Sequence, residues 1–390
     1  MGYQKYKADF LFDGYKLRQN QTLVVDEKGM IESVVSTDGI DSDSQQVEGI
    51  LCPGFVNCHC HLELSHTRGL ISEKTGLVDF VFEVVTKRNC SDEQIKEAIA
   101  NAENEMRNNG IVAVGDICNN TLTLAQKQKG NLHYYNFIEV SGWLPQMAQT
   151  RFGFAQNVYN TFNQISEIKN LKSTALVPHA PYSVSDDLWN LLQPYFENKT
   201  ISIHNQETQF EDELFIQGSG DFIRMYKMMK MDNSHFSPSG QCSLQTFFPK
   251  LEKARNIVLV HNTFTKEADV LYAKQQANVN HQNLFFCLCI NANLYIEDAV
   301  PPVDMLIKNN CNIVLGTDSL ASNWSLNLLD EMKSVKHHFP LLTTEQLLQF
   351  ATSNGAKALC MDNKLGSFEK GKQPGVLLLK EDLSEVKRLI

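Results

Sequence analysis

Eight short apolar, β-branched runs separated by stretches of helical spacing fill the middle of the chain. They are Gly54 to Asn57, Ile111 to Ile117, Tyr134 to Val140, Thr174 to Val177, Thr200 to Ile203, Asn256 to Val260, Leu284 to Cys289 and Asn312 to Leu315. Strands apolar on both faces belong to parallel sheets covered by helices, because only there does neither face meet water. Eight in succession predict an α/β fold, a closed (β/α)8 TIM-type barrel. A doubly wound open sheet is the runner-up, but no Gly-rich dinucleotide loop follows the first run.

Between the runs, Ile95, Ala98, Ile99, Ala102 and Met106 share one face of a helix predicted over Ser91 to Asn108, which Asn109-Gly110 stops. Thr344 to Phe350 is a second clear helix. Outside the barrel, Ala8 to Phe12, Gln21 to Val25 and Met30 to Ser33 read as short strands, with Asp13-Gly14 and Lys28-Gly29 as turns. Val376 to Leu379, after Gly366, Gly371 and Gly375, reads as a strand completing the same sheet. The expected organisation is a barrel over residues 52–360, with residues 1–51 and 361–390 forming one small β-sandwich domain. Phe210 to Phe248, which carries Phe222, Met225, Tyr226 and Met229, is expected to cover the barrel mouth.

Barrel enzymes assemble their sites at the C-terminal ends of the strands, and that is where this chain places its polar residues. His59 and His61 follow the first run as His-x-His, and the two-residue repeat of extended chain turns both rings to one side, with Cys58 and Cys60 turned away. His179, His204, His261 and Asp318 stand at the ends of later runs. Any one alone is more often a hydrogen-bonded structural residue. Together they point to a bound cation: imidazoles and a carboxylate suit zinc or iron and leave room for a water that the metal acidifies, whereas calcium or magnesium would ask for more oxygen ligands. Glu207, three residues after His204, is placed to carry a proton, the bland alternative being a surface glutamate.

These marks resemble the metal-dependent amidohydrolase superfamily, in the branch of adenosine-like and cytosine-like deaminases and triazine chlorohydrolases. The resemblance rests on Pro53-Gly54-Phe55-Val56-Asn57 with His59, His61 and Arg68-Gly69, then Pro178-His179-Ala180-Pro181-Tyr182-Ser183, His204 with Glu207, His261-Asn262 and Gly316-Thr317-Asp318-Ser319. It implies His59, His61, His204 and Asp318 as ligands of one divalent metal, zinc or else iron. Glu207 would then protonate a ring nitrogen, Asp318 accept a proton, His261 orient the water and His179 contact substrate. Two-metal members bridge their ions with a modified lysine after the fourth strand; Pro178-His179 stands there instead and Lys172 lies at the strand's other end, so one metal is expected. Ile290, where members often have proline, and Gly375-Val376, where they often have Ala-Asp, depart from the pattern.

The resemblance implies hydrolytic deamination of an amino-substituted N-heterocycle, an adenosine-type nucleoside such as aminodeoxyfutalosine or S-adenosylhomocysteine, in a homodimer. Free-base deamination (guanine, cytosine), pterin deamination, dechlorination and amide hydrolysis stay open, as does a non-catalytic metal-stabilised barrel. The net charge of −10 argues against nucleic-acid and acidic-membrane partners. No stretch reaches the roughly 20 apolar residues of a membrane span, and Met1 to Phe10 lacks an apolar signal core, so the cytoplasm is expected. Ten scattered cysteines read as mostly buried thiols.

Overall fold

The computed structural model describes residues 2–36, 43–169 and 173–390. Lys172 and Met1, both weighed above, lie outside them. Seven short strands come first: β1 (Tyr3–Lys7), β2 (Phe10–Phe12), β3 (Leu17–Arg18), β4 (Gln21–Asp26), β5 (Ile31–Ser36), β6 (Gln45–Gln46) and β7 (Ile50–Pro53). The barrel strands follow: β8 (Phe55–Cys60), β9 (Ile111–Cys118), β10 (His133–Val140), β11 (Thr174–Pro178), β12 (Thr200–Asn205), β13 (Asn256–His261), β14 (Asn283–Leu288) and β15 (Asn312–Leu315). β16 (Val376–Leu379) and β17 (Val386–Arg388) come last.

Each apolar run forms one barrel strand. β8 to β11 make one parallel sheet and β12 to β15 another. The two join at both seams: the His204 amide donates to the His179 carbonyl at 3.0 Å, and the Thr317 and Asp318 amides donate to the His59 carbonyl, each at 3.0 Å. The second seam needs Gly316, where a Cβ would lie 2.9 Å from Cys287 Sγ, Cys289 Sγ and His59 Cβ. The seventh run ends one residue earlier than expected. Cys289 precedes a helix, Ile290–Glu297, so the departure at Ile290 opens a buried helix.

The expected strand over Ala8 to Phe12 is shortened to Phe10–Phe12, and just before it the Asp9 carboxylate accepts the Gly49 amide at 2.7 Å. β1 went unforeseen because Tyr-Gln-Lys-Tyr-Lys is polar and only Tyr6 turns fully inward. The terminal strands form two sheets, β5-β4-β1-β6 and β17-β16-β7-β2-β3, with Leu11, Leu23, Val25, Ile31 and Leu51 packed between them. Helix Asp92–Asn108 starts at a capping box in which Ser91 Oγ accepts the Gln94 amide, and it buries Ile99, Ala102 and Met106. Thr343 caps Thr344–Ala351 in the same way.

Over the barrel mouth, helices Leu77–Lys87, Phe210–Gln217 and Phe222–Met228 share a second apolar core that includes Leu77, Phe80, Tyr182, Leu214, Phe222 and Tyr226. Burying a side chain such as Phe222 is worth about 1.5–3 kcal/mol, enough to hold short helices that would not form alone. Arg224 ties the first and third helices through both Asp79 oxygens, at 2.7 and 3.1 Å. Among the described residues no helix is long and apolar enough to cross a membrane.

Candidate active site

His59 and His61 close β8 with their Nε2 atoms 3.2 Å apart, and Asp318 Oδ1 lies 3.4 Å from the first and 3.2 Å from the second. A tetrahedral zinc holding nitrogens at about 2.0–2.1 Å sets its ligand atoms about 3.3 Å apart, so the three atoms stand at the spacing of one shared cation. His59, His204, His261 and Asp318 likewise offer ligand atoms within 4.8 Å of one another, all buried. His261 Nε2 is buried without a hydrogen-bond partner among the described residues. A buried nitrogen without a partner beside crowded imidazoles is a lone pair available to a cation, so the donor set fits a divalent metal.

The surroundings fix three of the rings. The Nδ1 atoms of His204, His261 and His179 lie 2.8 Å from the His179 carbonyl, Asn293 Oδ1 and Ser183 Oγ respectively, which leaves each Nε2 for the site. Ser322 Oγ donates to Asp318 Oδ2 at 2.5 Å and so leaves Oδ1 at the centre. Two of these residues hold left-handed backbone, His261 at φ 72° and Asp318 at φ 56°, a conformation that costs L-residues about 1–2 kcal/mol and persists only where the scaffold dictates it.

Burial pushes His61 down to about 3 and His179 to about 4, and it holds His204 well below the usual imidazole range. The rings are therefore neutral donors of lone pairs. Burial pushes the Asp318 carboxyl up, but the His59 hydrogen bond and the nearby His61 and His261 outweigh it and hold the group well below the carboxylate range. Glu207, buried with Oε1 3.6 Å from His261 Nε2, is driven well above that range, first by burial and then by Asp318 and Glu297. The two carboxyls are thus shifted in opposite directions. Above the cluster opens a cavity of about 810 Å³, bordered by His61, His179, Glu207 and His261 below and by Phe80, Met225 and Tyr226 above.

Residues 50–388 match the model of the amidohydrolase family. The chain belongs to this family. An adenosine deaminase of Helicobacter pylori is 26% identical over 330 residues, 83% of this chain and 77% of that protein. A 5-methylthioadenosine/S-adenosylhomocysteine deaminase of Saccharophagus degradans is 28% identical over 380 residues, 92% and 78% of the two chains. The crystal structure of Helicobacter pylori aminofutalosine deaminase in complex with methylthio-coformycin superposes with a TM-score of 0.83 at 20% identity, covering 99% of this chain and 97% of that one.

The amidohydrolase thus brings His61, His179, His204, Glu207, His261 and Asp318 to one cavity floor, with His59 buried against His61 and Asp318. Cys58 and Cys60 are buried outside the ligand clusters. A second trio, His61, Glu139 and His204, also lies within 4.8 Å. It shares His204 with the first cluster and takes His61 from the pair beside it, and His204 Nδ1, 3.8 Å from Glu139, already faces the His179 carbonyl.

Sequence reasoning missed the acids on this side of the amidohydrolase site. Glu139 ends β10 next to Asn119, which follows β9, so the strand-end rule that found the histidines would have found both. Burial pushes Glu139 and Glu63 up to about 7. Also missed was the support beneath His61: Asp116 accepts the Leu62 amide at 2.9 Å and pairs at 2.5 Å with Lys127, which is fully buried and also reaches Asn136 Oδ1 at 2.8 Å. A polar residue inside an apolar strand gives no hint in sequence of which distant lysine it meets.

Proposed function

We propose that this amidohydrolase removes the amino group of an adenosine-type nucleoside by hydrolysis, releasing ammonia and leaving a keto heterocycle. One observation carries it: the buried carboxyl of Glu207, 3.6 Å from His261 Nε2, and that of Asp318, 3.4 and 3.2 Å from His59 and His61, border the same cavity at the cation cluster. Deamination at a ring carbon needs both, an acid for the ring nitrogen and a base for the water. The names of the two curated relatives, both adenosine-type deaminases, favour the same substrate class.

His59, His61, His204 and Asp318 would hold the ion, with zinc favoured by three imidazoles and one carboxylate. When bound, it supplies a water acidic enough to attack at neutral pH. Asp318 would take one proton of the water and pass it to the departing amine. Glu207 protonates the ring nitrogen beside the amino-bearing carbon, and the second water proton restores it. His261 orients the water, and His179 holds the heterocycle. The C–O bond forms, the C–N bond breaks, and nitrogen leaves as ammonia.

The test is an ammonia-release screen of nucleosides, free bases, pterins and chlorotriazines with metal-quantified protein, each product checked by its ultraviolet spectrum. Ammonia from adenosine-type nucleosides in preference to free bases is the expected result. Chloride release alone, or inactivity across the panel with metal bound, would reject the assignment.

A further inference from the structure

The cavity is larger than its catalytic floor, and on the His61 side it is bordered by two carboxyls that the proposed chemistry does not use. Glu139 closes β10, and Glu63 lies in the turn after His61; both are buried, at 9% and 4% exposure. One residue holds them side by side: the Asn119 amide donates to Glu63 Oε2 at 3.0 Å and Asn119 Nδ2 to Glu139 Oε2 at 3.1 Å. The other oxygen of each, Oε1, has no hydrogen bond among the described residues and is open to the cavity. The nearest ring proton, at His204 Nδ1, is 3.8 Å from Glu139 and directed to the His179 carbonyl. Neither carboxyl has a lysine or arginine partner there.

Carboxyl oxygens that face a cavity and receive no donor from the protein are free to accept hydrogen bonds from a ligand that enters it. Two fixed, adjacent acceptors match two adjacent hydroxyls, each an O–H donor reaching about 2.7–2.8 Å. A second cation fits less well, since it would have to share His61 and His204 with the first. We propose that Glu63 and Glu139 form the sugar subsite of this enzyme, accepting hydrogen bonds from the vicinal hydroxyls of a ribose and selecting nucleosides over free bases and deoxynucleosides. Asn119 is the positioning residue of the subsite. The assignment rests on the nucleoside-deaminase function above and deepens it.

Two measurements on the metal-replete full chain test it. In the first, kcat/KM is compared for adenosine, 2′-deoxyadenosine, 3′-deoxyadenosine and 2′,3′-dideoxyadenosine. Each lost hydroxyl is expected to cost about fivefold to tenfold, the worth of a hydrogen bond, mainly through KM. In the second, calorimetry compares binding of the products inosine and 2′,3′-dideoxyinosine, which involve no turnover, and the same ratio is expected. In Glu139→Gln and Glu63→Gln the ratio between the ribose and dideoxy compounds should fall toward one, with metal content unchanged.

Equal handling of ribose and dideoxy compounds by the wild type would overturn the subsite while leaving the deaminase function standing. Loss of a metal equivalent in Glu139→Gln would overturn it in favour of a second cation. If no nucleoside released ammonia, the deaminase function would fall; hydroxyl-dependent inosine binding would still support the subsite, and absence of binding would remove it as well. The wild-type arms require no variant to fold.

Discussion

At the floor of the cavity, His59, His204, His261 and Asp318 stand on strand ends whose backbone is bonded to neighbouring strands, whereas the lid above is three helices held together by Leu77, Phe222 and Tyr226. On the floor every ring has its second nitrogen or its neighbouring strand to fix it, and the cost of left-handed backbone at His261 and Asp318 is met by the barrel. Between the lid helices the shared core is apolar and non-directional, and the ion pair that joins two of them, Arg224 to Asp79, is exposed. Chemistry demands placement to fractions of an ångström and rests on the floor; enclosure demands only burial.

The comparison breaks first, and hardest, at Asp318. Asp318→Asn is expected to lower turnover about 10³-fold or more, since the general base alone is worth about 10²–10⁴; steady-state kinetics with metal analysis reads it. Beneath the floor, Lys127→Met leaves Asp116 buried and unpaired, which should cost about 3–5 kcal/mol of stability in a denaturant titration. A loss under 1 kcal/mol would mean that the floor does not depend on its buried support. Glu207→Gln should keep metal and fold but lose about 10²-fold in turnover; wild-type turnover would remove Glu207 from the chemistry.

Glu211 sharpens the comparison, because it joins the two regions: it sits in the first turn of lid helix Phe210–Gln217 and accepts the Gln206 amide at 3.1 Å, next to Glu207. Burial pushes its carboxyl up to about 8 from the ordinary 4.5. The folded chain therefore keeps a proton that the unfolded chain sheds above its ordinary value. The stabilisation is complete below about pH 4.5 and is lost as pH rises toward 8. Glu211→Gln should flatten the fall in Tm between pH 5 and 8, and an unchanged slope would assign that fall to other groups. The smallest effect belongs to the lid: Arg224→Ala should change stability by no more than about 1 kcal/mol, because exposed ion pairs are worth little.

The same division governs what could be read in the sequence. The eight runs, the caps at Ser91 and Thr343 and the strand-end histidines were legible, because period and residue type are local properties. β1 was not, since its one buried side chain, Tyr6, leaves no alternation to detect. Phe210 to Phe248 was recognisable as a cover from Phe222, Met225 and Tyr226, but its pairing with Leu77–Lys87 was not. Asp116 meeting Lys127, and Asn119 spanning Glu63 and Glu139, depend on which loops the barrel brings together, and no periodicity records that.

The pairing of β16 with β7, Val376 opposite Pro53, has a consequence for how the protein is made. On the ribosome, β7 emerges before the barrel and β16 after it, so one edge of β7 stays open until the whole barrel has been synthesised. That interval is when an unpaired strand is most exposed to aggregation, and a chain that loses β16 would retain the hazard for good. Chaperone dependence during synthesis, more than equilibrium stability, is where damage to the terminal sheet should first be felt.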